Sequence, residues 1–169
     1  MHPRYPLSDY MQAALFQPSA PGKWLLPWLR GQFTSEEVIA DICQGTDFEP
    51  ALVLQELIVS CRRMVLVAET IPASIASLRA KGIRAVIATD NVDTFHRWTV
   101  PSLRLYDMFD DILSSYQLQA LKEDKDQAGQ SLFFSSYLQA HHIGPGESLL
   151  LDDGDEQFGN IIRQFGIDY

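Results

Sequence analysis

The 169-residue sequence contains no apolar run long enough to span a membrane, since its longest apolar stretches, such as LLPWL and LVLQELIV, are short or interrupted. The first ten residues, MHPRYPLSDY, lack the apolar segment of a signal peptide. Only two cysteines occur, Cys43 and Cys61, and they form neither a CxxC motif nor a disulfide framework. These absences predict a cytoplasmic protein with no membrane partner, in which both cysteines are small buried apolar residues.

Basic residues are scarce as well. The chain has 13 Lys and Arg against 22 Asp and Glu, which gives a formal net charge of −9. No basic stripe is available to neutralise the phosphates of a duplex, so we expect no nucleic-acid partner. The remaining composition, 46% hydrophobic and 21% charged, is typical of a globular protein of one domain, with or without a small subdomain.

The segment 1–68 is predicted to be helical, without a convincing strand. Thr34 and Glu37 have the spacing of a capping box, and apolar residues follow at helical spacing. Asp47 is predicted to be the N-cap of the next helix. An apolar and aromatic group is predicted to form local core: Trp24, Leu25, Trp28 and Leu29.

The segment 69–169 alternates helix and strand patterns. The predicted elements are a helix from Thr70 to Gly82 with Ile75 and Leu78 inward, a strand in RAVIATD, a short strand at 111–113, a helix at about 127–141, a strand at 148–153 and a last helix ending at Gly166. This order predicts an α/β fold with a short parallel sheet flanked by helices. Ligands of such sheets bind beyond the carboxyl ends of the strands.

Three polar clusters follow predicted strands. Thr89 and Asp90 end the RAVIATD strand, where a hydroxyl and nearby amides could hold a phosphate oxygen. Lys122 follows the second strand and could neutralise a phosphoryl group. Asp152 and Asp153 end the triple-leucine strand, and adjacent carboxylates suit a hard cation such as Mg²⁺.

Each cluster also has a purely structural interpretation. Thr89 and Asp90 could cap the next helix, and Lys122 could belong to a solvated charge run. Asp152 and Asp153 could be an N-cap and an acidic first turn. The order of the three clusters favours function, because a single explanation then covers all three.

This order resembles the haloacid dehalogenase-like (HAD) superfamily, and within it the sugar-phosphate phosphatase and epoxide-hydrolase N-terminal-domain branch. RGQFTSEEV resembles the start of that branch's helical cap, VIATDN its motif II, SSYQLQALKED the approach to motif III, and LLLDDGDEQFGN motif IV. The resemblance implies a Rossmann-like HAD core at 69–169 and a small N-terminal helical cap within 1–68. It implies phosphate binding by Thr89, Asp90 and Lys122, and Mg²⁺ binding by Asp152 and Asp153.

The sequence departs from the family at the nucleophile. In the family, a strand before the cap carries a DxD motif whose first aspartate attacks the substrate. Nothing of that form precedes the cap region here, since Asp9 has no second aspartate two positions on. Mg²⁺ binding is therefore expected to be weak. The family's DxD strand lies between the motif II and motif IV strands, and the spare run 64–68 is the one candidate to replace it.

Two functional hypotheses follow, with a third in reserve. The first is a HAD-like domain whose catalysis is impaired and which acts by binding. The second is an active HAD-type phosphatase on a small phosphorylated metabolite, with a truncated or replaced nucleophile strand. The third is a generic α/β domain with accidental motif matches. Whether the chain is an enzyme stays open at this point, and an open sheet edge would also allow a homodimer.

Overall fold

A computed structural model describes residues 24–169, so Asp9 and the first 23 residues of the predicted cap lie outside the described part. The chain divides into two units, the first ending at Gln119 and the second spanning Ala120–Tyr169. This division does not coincide with the predicted boundary at 68/69, and the assignment of 1–68 to a separate cap stays a prediction.

The described part of the first unit, residues 24–119, begins with three helices, and local sequence signals explain their starts. They are α1 (Leu25–Leu29), α2 (Ser35–Ile42) and α3 (Pro50–Arg62). The predicted capping box is confirmed, because the Thr34 side chain accepts from the Glu37 amide and the Glu37 carboxylate accepts from the Thr34 amide. The prediction for Asp47 is wrong. Helix α3 starts at Pro50, whose ring favours the first helical position, and Glu49 is its N-cap.

The predicted parallel sheet is present as two strands, which confirms the α/β assignment. Helix α4 (Ile71–Ala80) precedes strand β1 (Val86–Thr89), and strand β2 (Asp111–Ser114) pairs with β1 in parallel. The register places Val86 opposite Asp111 and Thr89 opposite Ser114. Parallel strands need a crossover, and helices supply it here. The crossover consists of a π-helical turn (Phe95–Thr99), α5 (Val100–Leu103) and α6 (Leu105–Met108).

Among residues 24–119, buried apolar side chains form three clusters. Val100, Leu105 and Ile112 join the crossover helices to the sheet. Trp28 packs with α2, which confirms the predicted local core near the start of the chain. A third cluster joins α2 to α3 and contains Ile39, Cys43 and Val53. Both Cys43 and Cys61 are free and buried, as predicted.

Two further predictions in the first unit are wrong. The run 64–68 does not replace a strand, because it forms no strand and Val65 and Val67 are 82% and 95% exposed. Helix α4 buries no residue, with Ile75 half-buried and Leu78 exposed. Short α7 (Ser115–Leu118) then follows β2 directly.

The second unit contains helix α8 (Ser135–Ala140), a 3₁₀ turn (Pro145–Glu147) and helix α9 (Glu156–Gln164). The predicted helix 127–141 is limited to α8, because the Asp126 carboxylate accepts from the amides of Ala128 and Gln130 and forms a turn there. The predicted strand at 148–153 is also reduced. It makes a single parallel bridge, Leu149 to Asp168, and its side chains at Leu149 and Leu151 are exposed.

The last helix agrees with its prediction. Helix α9 buries Ile162 completely and ends before Gly166, whose φ of 79° is the left-handed conformation that favours glycine after a helix. Gly82 has a φ of 78° and ends α4 in the same way.

Within residues 24–169, no helix is long and apolar enough to cross a membrane.

Candidate functional site

The carboxyl end of the two-stranded sheet carries two hydroxyl side chains side by side. Thr89 ends β1 and is paired in register with Ser114, which ends β2. Ser114 is fully buried, and its Oγ has no hydrogen-bond partner among the described residues. A buried hydroxyl without a partner is unfavourable by roughly 1–3 kcal/mol.

The loop after β1 is held against α7 by one serine. The Ser115 hydroxyl accepts from the Asn91 amide at 3.0 Å and donates to the Asn91 carbonyl at 3.2 Å. Ser115 is itself fully buried, so the Asn91 peptide is fixed on both sides. The sequence-predicted residue Asp90 lies between Thr89 and this fixed peptide, and it is half-buried. The backbone that follows β1 is therefore rigidly positioned at the carboxyl end of the sheet.

In the second unit, Lys122 and Asp152 form a largely buried ion pair. The Lys122 Nζ lies 2.5 Å from Asp152 Oδ2, and the two side chains are 11% and 14% exposed. The Lys122 Nζ also lies 5.1 Å from the centroid of the Phe158 ring, within the range of a cation–π contact. This arrangement rules out a fully solvated charge run for Lys122, which was the alternative interpretation.

In the acidic run 152–156, three carboxylates make a hydrogen bond, a helix cap or an ion pair inside the second unit. Asp152 Oδ1 accepts from the Gly154 amide at 2.9 Å, and Asp155 caps α9 through the Phe158 amide. Glu156 is paired with Arg163. The N-cap of α9 is thus Asp155, two positions beyond the predicted pair. Asp153 is exposed.

The described residues do not by themselves make a site for Mg²⁺. Both oxygens of Asp152 already accept hydrogen bonds, one from Lys122 and one from a main-chain amide. In the described part of the chain, no group of three or more His, Cys, Asp or Glu side chains is arranged to hold a metal ion. Mg²⁺ prefers an octahedral shell of oxygen ligands, which Asp152 and Asp153 alone do not complete.

The sequence analysis missed a buried carboxylate, Asp93, in the first unit. Its Oδ1 accepts from the Trp28 indole at 2.9 Å and from the Ser35 hydroxyl, and its Oδ2 accepts from the Ser35 amide at 3.3 Å. Arg97 donates to Oδ2 at 2.7 Å and also binds both oxygens of Glu36. Burial by itself raises the pKa of Asp93, but these hydrogen bonds outweigh burial and lower it.

A cavity of about 450 Å³ adjoins this group, lined by residues that include Glu36, Asp93, His96, Arg97 and Tyr116. The His96 Nε2 is buried and has no hydrogen-bond partner among residues 24–169. Burial lowers the pKa of His96, so the ring is neutral at physiological pH. His96 lies in the π-helical turn.

The predicted site residues are thus distributed over both units. Thr89 and Asp90 lie in the first unit, and Lys122, Asp152 and Asp153 lie in the second. The structure brings Lys122 and Asp152 into contact, which their separation of 30 residues did not reveal. Ser114 was missed, although one signal for it existed, because it directly follows the strand predicted at 111–113.

The described residues define a helix-rich α/β fold around a short parallel sheet. No family model matches the sequence, and no curated protein matches it. Among solved structures, HAD family enzyme BT-2542 from Bacteroides thetaiotaomicron is similar to this chain, with a TM-score of 0.66 and 16% identity over 85% of this chain and 69% of that one.

Two further structures of the same enzyme are similar. Its magnesium complex has a TM-score of 0.68 and 16% identity, and the match covers 95% of this chain and 80% of that one. An aspartate-to-alanine mutant in complex with magnesium and inorganic phosphate has a TM-score of 0.70 and 16% identity, and the match covers 94% of this chain and 76% of that one. At this identity the likeness shows the fold alone. The chain has a HAD-like fold, which confirms the predicted fold class.

Proposed function

We propose that this chain is a HAD-like domain that binds the phosphoryl group of a small phosphorylated metabolite and has impaired phosphatase chemistry. The observation that carries the proposal is the buried, unpartnered Ser114 hydroxyl opposite Thr89 at the carboxyl end of the sheet. Ligands of α/β sheets bind at this end. A phosphate oxygen is a strong acceptor that would satisfy both hydroxyls.

Lys122 supports the same proposal. A largely buried ammonium suits a dianionic ligand, because its charge is poorly screened by water. Asp152 holds this ammonium in one position while the ligand is absent. The fold resembles that of an enzyme whose mutant was crystallised with magnesium and inorganic phosphate, which favours a phosphorylated ligand over other anions.

We infer the impairment for this 169-residue chain, in which the residues ahead of the helical region contain no DxD motif. A chain without this carboxylate nucleophile lacks the covalent route, and its residual rates should be very small. Because the described carboxylates do not complete a Mg²⁺ shell, we expect Mg²⁺ to bind weakly. The cytoplasmic location and the homodimer stay predictions.

Binding of inorganic phosphate to the full chain, measured by calorimetry, tests the proposal. Ser114→Ala should weaken binding by about tenfold, the effect of losing one hydrogen bond to a charged group. The same substitution removes an unsatisfied buried hydroxyl, so the ligand-free protein should be equally stable or more stable. Ser102→Ala, an exposed serine in the same unit, is the matched control. Equal phosphate affinity in wild type and Ser114→Ala would refute the proposed site at the end of the sheet.

A turnover assay separates this proposal from an active phosphatase. The substrates are an aryl phosphate and a panel of sugar phosphates, each with and without Mg²⁺. The second hypothesis is favoured by the intact Lys122–Asp152 pair. Turnover that disappears in an Asp152→Asn/Asp153→Asn double variant would establish an active enzyme with an unrecognised nucleophile. Phosphate binding without turnover would support a binding domain.

A further inference from the structure

The Asp152 carboxylate is oriented by the peptide of a single residue, Gly154. Its Oδ1 accepts from the Gly154 amide at 2.9 Å, which forms a local turn and directs Oδ2 at the Lys122 ammonium. Asp152 and Gly154 are otherwise part of a loop without regular secondary structure. The orientation of the Asp152 carboxylate toward Lys122 therefore depends in part on what holds the main chain at Gly154.

Tyr169 holds that peptide from the other side. Its hydroxyl donates to the Gly154 carbonyl at 2.8 Å. Partial desolvation and the nearby carboxylates of Asp152 and Asp153 raise the pKa of Tyr169, so the hydroxyl keeps its proton at neutral pH. The amide and the carbonyl of Gly154, which belong to successive peptide groups joined at its Cα, are thus both hydrogen-bonded.

The Tyr169 ring is in turn held by close packing on α9. A Cβ at Gly159 would lie 2.5 Å from the Tyr169 ring, so that position has no room for a side chain. The ring meets Phe158 edge to face at a centroid distance of 5.6 Å, and the Arg163 guanidinium lies 5.7 Å from its centroid. Phe158 is also the ring in contact with Lys122, so two routes connect Tyr169 to the lysine.

We propose that Tyr169 is a positioning residue for the Lys122–Asp152 pair, acting through the Gly154 peptide. As a role in phosphoryl binding, this inference rests on the proposed function. Tyr169 itself does not touch the ligand in this proposal. Its hydroxyl keeps the Asp152 carboxylate turned toward Lys122, and its ring supports Phe158 beneath the ammonium.

Tyr169→Phe is the variant of choice, because it keeps the ring and its packing and removes only the hydroxyl. Two readouts are needed. The first is the rate at which an amine-reactive acetylating reagent modifies Lys122, with exposed Lys125 as the internal reference and peptides analysed by mass spectrometry. The second is the affinity for inorganic phosphate. Tyr106→Phe removes an exposed tyrosine hydroxyl that makes no hydrogen bond within residues 24–169 and is the matched control.

We expect Lys122 to react about three- to tenfold faster in Tyr169→Phe, the range that corresponds to one lost hydrogen bond, with Lys125 and the melting temperature little changed. Phosphate affinity should fall by a similar factor. Faster Lys122 modification in a protein whose wild type does not bind phosphate would support the positioning role and reject the proposed function. An unchanged Lys122 rate, or an equal change in Tyr106→Phe, would overturn the inference.

Discussion

Replacing Asp93 with alanine should destabilise the first unit by about 3 to 5 kcal/mol, because the change leaves buried donors without an acceptor. The donors are the Trp28 indole and the amide and hydroxyl of Ser35, and Ser35 is fully buried. Each unpaired buried donor is unfavourable by roughly 1–3 kcal/mol, and local relaxation reduces the sum. Arg97 adds little, because its side chain is 42% exposed and water can solvate it.

Two further variants divide this effect into its parts. Asp93→Asn keeps one acceptor oxygen and should destabilise by about 1 to 2 kcal/mol. Glu36→Gln breaks only an exposed ion pair with Arg97 and should change stability by less than about 1 kcal/mol. Urea unfolding followed by tryptophan fluorescence measures all three. A loss below about 1 kcal/mol in Asp93→Ala would refute the view that this carboxylate joins α1, α2 and the π-helical turn.

The pH dependence of the same unit has a defined sign. Because the folded-state pKa of Asp93 is lowered, its contribution is fully present above the unfolded-state pKa of about 3.9. The contribution is lost as the pH falls through the lower folded-state pKa. Stability measured between neutral and strongly acidic pH should therefore fall less steeply in Asp93→Asn than in wild type. Parallel curves would show that another group is responsible.

Three more predictions concern single residues. Gly159→Ala should destabilise the second unit by about 1 to 3 kcal/mol in thermal melts, because the new Cβ would lie 2.5 Å from the Tyr169 ring. The control is Gly146→Ala, whose Cβ would have no neighbour outside the adjacent residues nearer than 3.9 Å and which should not destabilise the unit in this way. The pKa of His96, measured by NMR titration, should lie below the usual value of about 6.5, because burial disfavours the charged ring. Protonation of His96 should therefore destabilise the fold as the pH falls below about 6.5. A titration midpoint above about 6.5 would contradict the burial of this ring. Burial raises the pKa of the Cys43 thiol, so it should react with a disulfide reagent only after unfolding, and rapid modification of native protein would argue against its position.

Signals that act over a few residues were enough to predict part of this fold. Three features depend on side chains that are only a few residues apart in sequence: the capping box at Thr34, strand β1 and helix α9. The predicted helix 127–141 failed because Asp126 offers its carboxylate to nearby amides, and apolar spacing alone does not reveal that competition. The predicted strand at 148–153 failed because an extended segment needs a partner, and here it has one bridge.

The candidate site required both kinds of information. The sequence by itself determined that Thr89, Lys122 and Asp152 each follow a strand-like run, because apolar patterning is local. Only the tertiary structure decided that Ser114 stands opposite Thr89, since register depends on how two strands pair. It also brought Asp93 to Ser35 and Trp28, which are 58 and 65 residues away along the chain. Contacts at such separations are selected by the packing of whole helices, and no short stretch of sequence carries them.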